Sequence, residues 1–165
     1  MNLHGTSVPQ VIVIEGLDGV GKSTVVKALV EITGGSDVTE VINGSMGEGR
    51  RVVMASDSVN ARLHYWLAVN YLAGEYAAEC VAAKRTAVID SYFFRTIACH
   101  KVLGARFDWK TVLFAATRPD RAVLLTVSEE VRATRLLERG GTASTPEWHA
   151  ELDSRWMEVA VSAVR

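Results

Sequence analysis

Short apolar runs alternate with segments of helical periodicity along this chain. Strands are predicted over residues 10–14, 38–42, 86–90 and 122–127, and the runs at 86–90 and 122–127 are almost wholly apolar. Helices are predicted over residues 21–32, 50–54 and 59–84, then after the capping residue Ser128 and from Thr145 onward. Fully apolar strands that alternate with helices predict an α/β fold: a doubly wound parallel sheet of about four strands with helices on both faces.

Two further features of the sequence bear on the expected architecture. Residues 43–49 are rich in glycine and predict a flexible loop. The helix over residues 59–84 is apolar nearly all round in its middle, so more than one of its sides should be covered. Neighbouring helices or a partner subunit would serve equally well, and the second alternative would be a homodimer through this helix.

Composition narrows the classes of function. A length of 165 residues suggests one domain, and a net charge of −1 gives no general attraction to polynucleotides or anionic membranes. Cys80 and Cys99 lie far apart, so we expect two small packed thiols in a reducing cytoplasm rather than a disulfide or a metal site. The polar N-terminus does not resemble a signal peptide, and no apolar run approaches the ~20 residues of a membrane span.

The strongest chemical signal follows the first strand. Residues 16–24, Gly-Leu-Asp-Gly-Val-Gly-Lys-Ser-Thr, fit the pattern G-x-x-x-x-G-K-[ST] between a predicted strand and a predicted helix. Such a loop turns its backbone N–H groups inward and adds the positive end of the helix dipole, which together hold phosphates. The predicted ATP-binding residues are Gly16, Gly19, Val20, Gly21, Lys22, Ser23 and Thr24. Lys22 would reach the β- and γ-phosphates and Ser23 would ligate Mg²⁺, so the predicted cofactors are ATP and Mg²⁺.

In this context the chain resembles the thymidylate kinase family of P-loop kinases. The resemblance covers residues 11–24, including the acidic Asp18, then residues 47–51, Asp90-Ser91-Tyr92 and Arg118-Pro119-Asp120, and it covers most of the chain in order. It implies an ATP-dependent phosphotransferase acting on a nucleoside, nucleotide or nucleotide-like acceptor. It also implies catalytic roles for Lys22, Asp90, Arg135 and Arg139, with Asp90 near the metal and the two arginines in a short lid.

The expected acceptor site departs from the family pattern. Ser91 stands where the family has an arginine, and Asn70-Tyr71 stands where it has an Asp-Arg pair. Arg95 is a candidate substitute, and His100 stands where the family has a base-reading glutamine, so we expect an acceptor other than thymidylate. The predicted acceptor-binding residues are Asp18, Arg51, Tyr71, Tyr92, Arg95 and His100, and Tyr92, Phe93 and Phe94 could form a stacking slot for a base. Because the chain ends at Arg165, before the family's usual last strand and helix, we expect four strands.

Several alternatives stay open at this point. Arg132, Arg135 and Arg139 share one helix face, either as lid residues or as ion-pair partners of Glu129 and Glu138. Residues 140–144 are either a hinge or a plain loop. The leading hypothesis is a kinase with a small nucleoside or nucleotide acceptor; the others are a same-fold kinase of a non-nucleoside metabolite and a nucleotide-binding protein without transfer.

Overall fold

A computed structural model describes residues 8–138 of the chain. Its helices and strands, in chain order, are β1 Val11–Glu15, α1 Lys22–Thr33, β2 Ser36–Asp37, α2 Val38–Met54, α3 Val59–Ala82, β3 Ala87–Asp90, α4 Phe93–Val102, α5 Trp109–Phe114, β4 Arg121–Leu124 and α6 Glu129–Glu138. The predictions for β1, α1, α3, β3 and the helix after Ser128 are confirmed to within a few residues. The predicted helix from Thr145 and the segment 140–144 lie outside the described residues.

The four strands form one parallel sheet in the order β2-β3-β1-β4. The central strands β1 and β3 are buried on both faces: Val13 and Ile89 on one face, and Ile14 and Val88 on the other, have at most 1% of their surface exposed. The predicted α/β class with four parallel strands is therefore confirmed. Ile14 pairs with Asp90, so the end of β1, where the glycine loop begins, lies beside the end of β3. Ligands of open α/β sheets bind at this carboxyl edge.

The predicted strand over residues 38–42 and the predicted loop over residues 43–49 are both wrong, because these residues form helix α2. The Asp37 side chain accepts a hydrogen bond from the Glu40 backbone N–H at 3.0 Å, which caps the helix. Packing against α3 then stabilises a helix that contains three glycines, each costing about 1 kcal/mol relative to alanine. Tyr65 of α3 fixes this packing by donating a hydrogen bond from its hydroxyl to the Met46 carbonyl at 3.1 Å.

The long helix α3 is covered by other parts of the same chain. It contacts α2, α4, β1 and β3. Its buried residues are Leu63, Leu67, Val69, Asn70, Ala73, Gly74, Ala77 and Cys80. The sequence left open whether neighbouring helices or a partner subunit bury this helix, and neighbouring elements of the same chain account for these buried positions.

The part of the chain after β3 differs most from expectation. No element was predicted between residues 91 and 121, yet α4 and α5 lie there, and α4 forms one wall of the site described below. Strand β4 is four residues long and exposed, although a longer, wholly buried strand was predicted. Among residues 8–138, no helix combines the length and hydropathy needed to cross a membrane.

Candidate functional site

The glycine loop between β1 and α1 has the backbone geometry that phosphate binding requires. Gly16 has φ 144°, and a Cβ there would lie 2.6 Å from the Leu125 carbonyl oxygen, so a side chain has no space. Gly21, the residue that precedes α1, has φ 102°, which glycine adopts readily. The loop therefore presents the N-terminus of α1, with its unpaired N–H groups, to the carboxyl edge of the sheet.

Lys22 is the first residue of α1, directly after this loop. Its Nζ donates a hydrogen bond to the Leu17 carbonyl at 2.9 Å and lies 3.7 Å from Asp18 Oδ1. Burial and then the positive charge of Arg95 lower the pKa of Lys22, whereas the carboxylates of Asp18 and Asp90 oppose this shift. A bound phosphate would supply the negative charge that this buried ammonium group lacks.

Asp90, at the end of β3, is held against the loop. Ser23 Oγ donates a hydrogen bond to Asp90 Oδ2 at 2.9 Å, and Thr39 Oγ1 accepts one from the Asp90 backbone N–H at 2.7 Å. Ser91 follows with φ 65°, a left-handed conformation that is uncommon for a residue with a side chain. The oxygens of Ser23 and Asp90 suit Mg²⁺, which prefers few protein oxygens and keeps several waters. Within the described part of the chain, no cluster of three or more His, Cys, Asp or Glu side chains could hold a metal ion by itself.

Glu15 is a buried carboxyl group that the sequence analysis did not single out. It is 2% exposed, and its Oε1 accepts a hydrogen bond from the Tyr92 backbone N–H at 2.8 Å. Its Oε2 is buried and accepts no hydrogen bond from any described residue. Burial raises the pKa of Glu15 to about 7, and the Tyr92 hydrogen bond and the charges of Arg95 and Lys22 only partly oppose this shift. Its position could have been recognised from the sequence, because Glu15 is a carboxylate that ends an apolar strand just before the glycine loop.

A cavity of about 480 Å³ opens beside the loop, which is within the usual range for small-molecule sites. We call it the main cavity. Its walls are the glycine loop with the start of α1, the end of β3, and one face each of α2, α3 and α4. The predicted site residues that line it are Asp18, Gly19, Gly21, Lys22, Ser23, Asp90, Tyr92, Arg95 and His100. Arg95 Nη2 donates a hydrogen bond to Asp18 Oδ2 at 2.8 Å, so this arginine reaches the glycine loop from α4.

Two predicted acceptor residues do not line the main cavity. Arg51 is exposed on α2, whereas its neighbour Arg50 lines the cavity with its guanidinium carbon 5.4 Å from the centre of the Trp66 ring. Tyr71 faces away: its hydroxyl donates to the Val112 carbonyl at 3.1 Å, and its ring packs against Phe93.

The face of α3 that does line the cavity carries Trp66, Val69, Asn70 and Ala73. These residues are spaced i, i+3, i+4 and i+7, so they share one face of the helix. This spacing can be read from the sequence, but the family resemblance named Tyr71, which lies on another face. The predicted aromatic slot is also not formed as expected. Phe93 is buried in the core at 1% exposure, and of the three aromatic residues Tyr92 alone lines the cavity.

A second cavity of about 420 Å³ lies on the other side of the glycine loop. It is lined by Val20, Gly21, Thr24, Val25, Arg135 and Glu138, so Gly21 belongs to both cavities. Arg135 Nη1 donates hydrogen bonds to the carbonyls of Gly19 and Val20 at 3.3 and 3.2 Å, which places a guanidinium group on the loop.

Arg132 is an ion-pair partner of a glutamate on α6, which was the alternative to a role in a lid. It forms a two-point ion pair with Glu129 at 2.7 and 2.8 Å and is 3% exposed. It also donates to the Asp18 carbonyl at 3.5 Å, so the pair holds α6 against the glycine loop. Arg139 lies outside the described residues.

Comparisons with known proteins agree with this geometry. The sequence model of the thymidylate kinase family matches residues 14–163. A thymidylate kinase from Candida albicans superposes with a TM-score of 0.67 at 18% identity, over 91% of this chain and 77% of that one. A thymidylate kinase from Ehrlichia chaffeensis superposes with a TM-score of 0.54 at 17% identity, over 80% of this chain and 84% of that one. A search of curated proteins finds no match. Structural likeness at this identity shows the shared fold, whereas the family model spans most of the sequence, so the chain belongs to the thymidylate kinase family of nucleotide kinases.

Proposed function

We propose that the chain transfers the γ-phosphoryl group of Mg-ATP to a nucleotide bound in the main cavity. The observation that carries this proposal is the position of the glycine loop between two cavities that share Gly21. A donor base in the second cavity and an acceptor in the main cavity would bring both reactants to the same loop. Bringing them together in this way is most of what phosphoryl transfer requires of a protein.

On the donor side, Lys22 would leave the Leu17 carbonyl and bind the β- and γ-phosphates. Mg²⁺ would be held by Ser23 and Asp90, whose oxygens lie 2.9 Å apart, and would neutralise phosphate charge. Arg135 lies on the loop carbonyls and would turn toward the transferring phosphoryl group, where a guanidinium can lower the barrier by several kcal/mol. We propose the same role for Arg139.

On the acceptor side, the main cavity supplies two guanidinium groups for an acceptor phosphate. Arg95 reaches the glycine loop at Asp18, and Arg50 lines the cavity where Arg51 does not. Both are suited to bind phosphate through two hydrogen bonds at once. Asp18 would accept a hydrogen bond from an acceptor hydroxyl, and Tyr92 would form part of the cavity wall.

The acceptor has to be established from the residues of this site. The related Candida albicans thymidylate kinase is described as having broad substrate specificity. We propose a nucleoside monophosphate as the acceptor class, because Arg50 and Arg95 provide two guanidinium groups for its phosphate. A non-nucleoside acceptor and binding without transfer are the competing outcomes of the test.

The test is ADP release from Mg-ATP with a panel of nucleosides and nucleoside monophosphates, with the products identified by mass. We expect turnover that depends on a monophosphate, and a loss of at least about 100-fold in kcat for Lys22→Ala. Lys27→Ala is the matched control, because Lys27 is exposed on the same helix and lines neither cavity. Tight ATP binding without turnover on any acceptor would contradict the proposal, and so would unchanged turnover in Lys22→Ala.

A further inference from the structure

Three polar residues form a linked cluster in the wall of the main cavity. Asn70 of α3 donates a hydrogen bond from Nδ2 to Thr96 Oγ1 at 2.9 Å, and His100 Nδ1 lies 2.7 Å from the Thr96 carbonyl oxygen. All three residues line the cavity and are at most 8% exposed. We call them the Asn70–Thr96–His100 cluster.

His100, at one end of the cluster, lies farther along α4 than Arg95 does. Both Arg95 and His100 belong to α4, and Arg95 contacts Asp18 of the loop. His100 comes five residues later, which corresponds to about 7.5 Å along the helix axis. A nucleotide whose phosphate lies near Arg95 would therefore extend its base toward the cluster.

The hydrogen bonds within the cluster fix which of its atoms face the cavity as acceptors. A backbone carbonyl only accepts, so His100 Nδ1 carries the proton that binds the Thr96 carbonyl. Burial lowers the pKa of His100, the Thr96 carbonyl partly opposes this shift and the nearby Arg62 adds to it, so Nε2 is an unprotonated acceptor at neutral pH. The amide N–H of Asn70 donates a hydrogen bond to Thr96, and its Oδ1 is left as a hydrogen-bond acceptor.

Neither Asn70 Oδ1 nor His100 Nε2 accepts a hydrogen bond from any residue among 8–138. Neither is sealed away from solvent, since the buried side-chain atoms without a partner in residues 8–138 are Glu15 Oε2 and Arg62 Nε. Two side chains that are more than nine-tenths buried thus keep one acceptor each open to the cavity. The Thr96 hydroxyl accepts from Asn70 and keeps its own O–H as a donor.

We propose that the Asn70–Thr96–His100 cluster selects an acceptor nucleotide whose base carries an exocyclic amino group beside an unprotonated ring nitrogen, as in cytosine and adenine. This proposal rests on the proposed function and names the base of its acceptor. The amino group donates to the two open acceptors, and the ring nitrogen accepts from the Thr96 hydroxyl.

Thymine and uracil fit the same cluster poorly. Their base edge carries one N–H between two carbonyl oxygens, so a carbonyl oxygen would face an acceptor atom of the protein. A buried polar group left without a partner costs roughly 1–3 kcal/mol, which corresponds to about 5- to 150-fold in affinity. The cluster therefore also disfavours thymidylate.

The experiment compares matched nucleotide pairs on the intact chain. dCMP and dUMP differ on this base edge by an amino group against a carbonyl, and dAMP and dIMP form the corresponding purine pair. We expect kcat/KM and the dissociation constant from calorimetry to favour the amino member of at least one pair by about 10- to 100-fold. Equal values within both pairs, or a preference for dUMP or thymidylate, would overturn the inference while leaving the proposed phosphotransfer intact.

Calorimetry separates failure of the inference from failure of the proposed function. If no nucleotide is phosphorylated but dCMP still binds more tightly than dUMP, the transfer proposal fails and the base selection stands. If no member of either pair binds, the base selection fails too.

Two variants test whether the cluster is the cause. His100→Phe keeps a ring but removes the Nε2 acceptor, and it should reduce the dCMP-to-dUMP ratio to near one. His64→Phe is the matched control, since His64 is exposed on α3 and lies outside the cavity lining. An unchanged ratio in a folded His100→Phe variant would contradict the assignment. Should that variant not fold, Asn70→Ala makes the same test at the other acceptor, with thermal unfolding as the check on structure.

Discussion

Neutralising Glu15 should remove the pH dependence of stability that its carboxyl group imposes. In the folded chain burial raises the pKa of Glu15 to about 7, from 4.5 for the ordinary group. Between these two values the folded chain binds more protons than the unfolded chain. The free energy of unfolding therefore falls as pH rises from 4.5 to 7 and stays low above that range.

The size of the effect follows from the shift. A difference of about 2.5 in pKa, at about 1.4 kcal/mol per unit, corresponds to about 3 kcal/mol between the protonated and ionised carboxyl. Glu15→Gln keeps the side chain neutral, and its carbonyl oxygen can still accept the hydrogen bond from Tyr92 N–H. Between pH 5 and pH 8 the variant should gain about 2 to 3 kcal/mol of stability relative to the wild type.

Urea unfolding of both proteins at pH 5, 6, 7 and 8 measures this difference. Titrations shared by the two proteins cancel in it. Glu31→Gln is the matched control because Glu31 is exposed on α1, and its profile should parallel that of the wild type. Parallel profiles for Glu15→Gln and the wild type, or a variant that loses stability relative to the wild type as pH rises, would refute a buried, proton-binding Glu15.

The remaining predictions concern packing and capping. Gly74→Ala should cost about 1–3 kcal/mol in urea unfolding, because its Cβ would overlap the Tyr92 hydroxyl and approach Thr117 Oγ1 to 2.9 Å. Gly44→Ala, also in a helix but with nothing within 4 Å of its Cβ, should gain up to about 1 kcal/mol; equal effects at the two glycines would contradict the packing of α3. Asp37→Ala should cost about 1 kcal/mol by removing the cap of α2, and an unchanged free energy of unfolding would show that the cap contributes nothing.

The sequence predicts best those features that depend on neighbouring residues. The glycine loop was found because its strand, its turn and its helix are contiguous, and Asp90 was placed with it because parallel strands end at one edge. Helix α2 shows where local reasoning fails. Its glycines predict a loop, whereas Asp37 and Glu40 carry the opposite signal of an N-cap and a third helical residue. Packing against α3, which no local pattern reveals, favours the helix.

The acceptor side could not be predicted residue by residue, because it depends on the rotation of helices. A shift of one position on a helix turns a side chain by about 100°. This difference separates Asn70, which lines the cavity, from Tyr71, which packs against Phe93. The same rotation explains why Arg50 lines the cavity and Arg51 does not. A comparison of motifs can therefore indicate a segment that lines the cavity and still name a residue of that segment that does not line it.

Ser91 stands where the family pattern leads us to expect an arginine, and the guanidinium group nearest the glycine loop on this side comes from Arg95. Ser91 adopts φ 65°, a conformation in which a small side chain that hydrogen-bonds locally is better tolerated than a long one, and its Oγ donates to Asp90 Oδ1 at 3.3 Å. Arg95, one helical turn further on, contacts Asp18 and restores a guanidinium group to the glycine loop. Since Asp18 occupies that group at 2.8 Å, an acceptor phosphate has to compete with a carboxylate for it. We therefore propose that a phosphorylated acceptor binds here at a position other than the family pattern predicts, as a changed acceptor rather than a lost one would require.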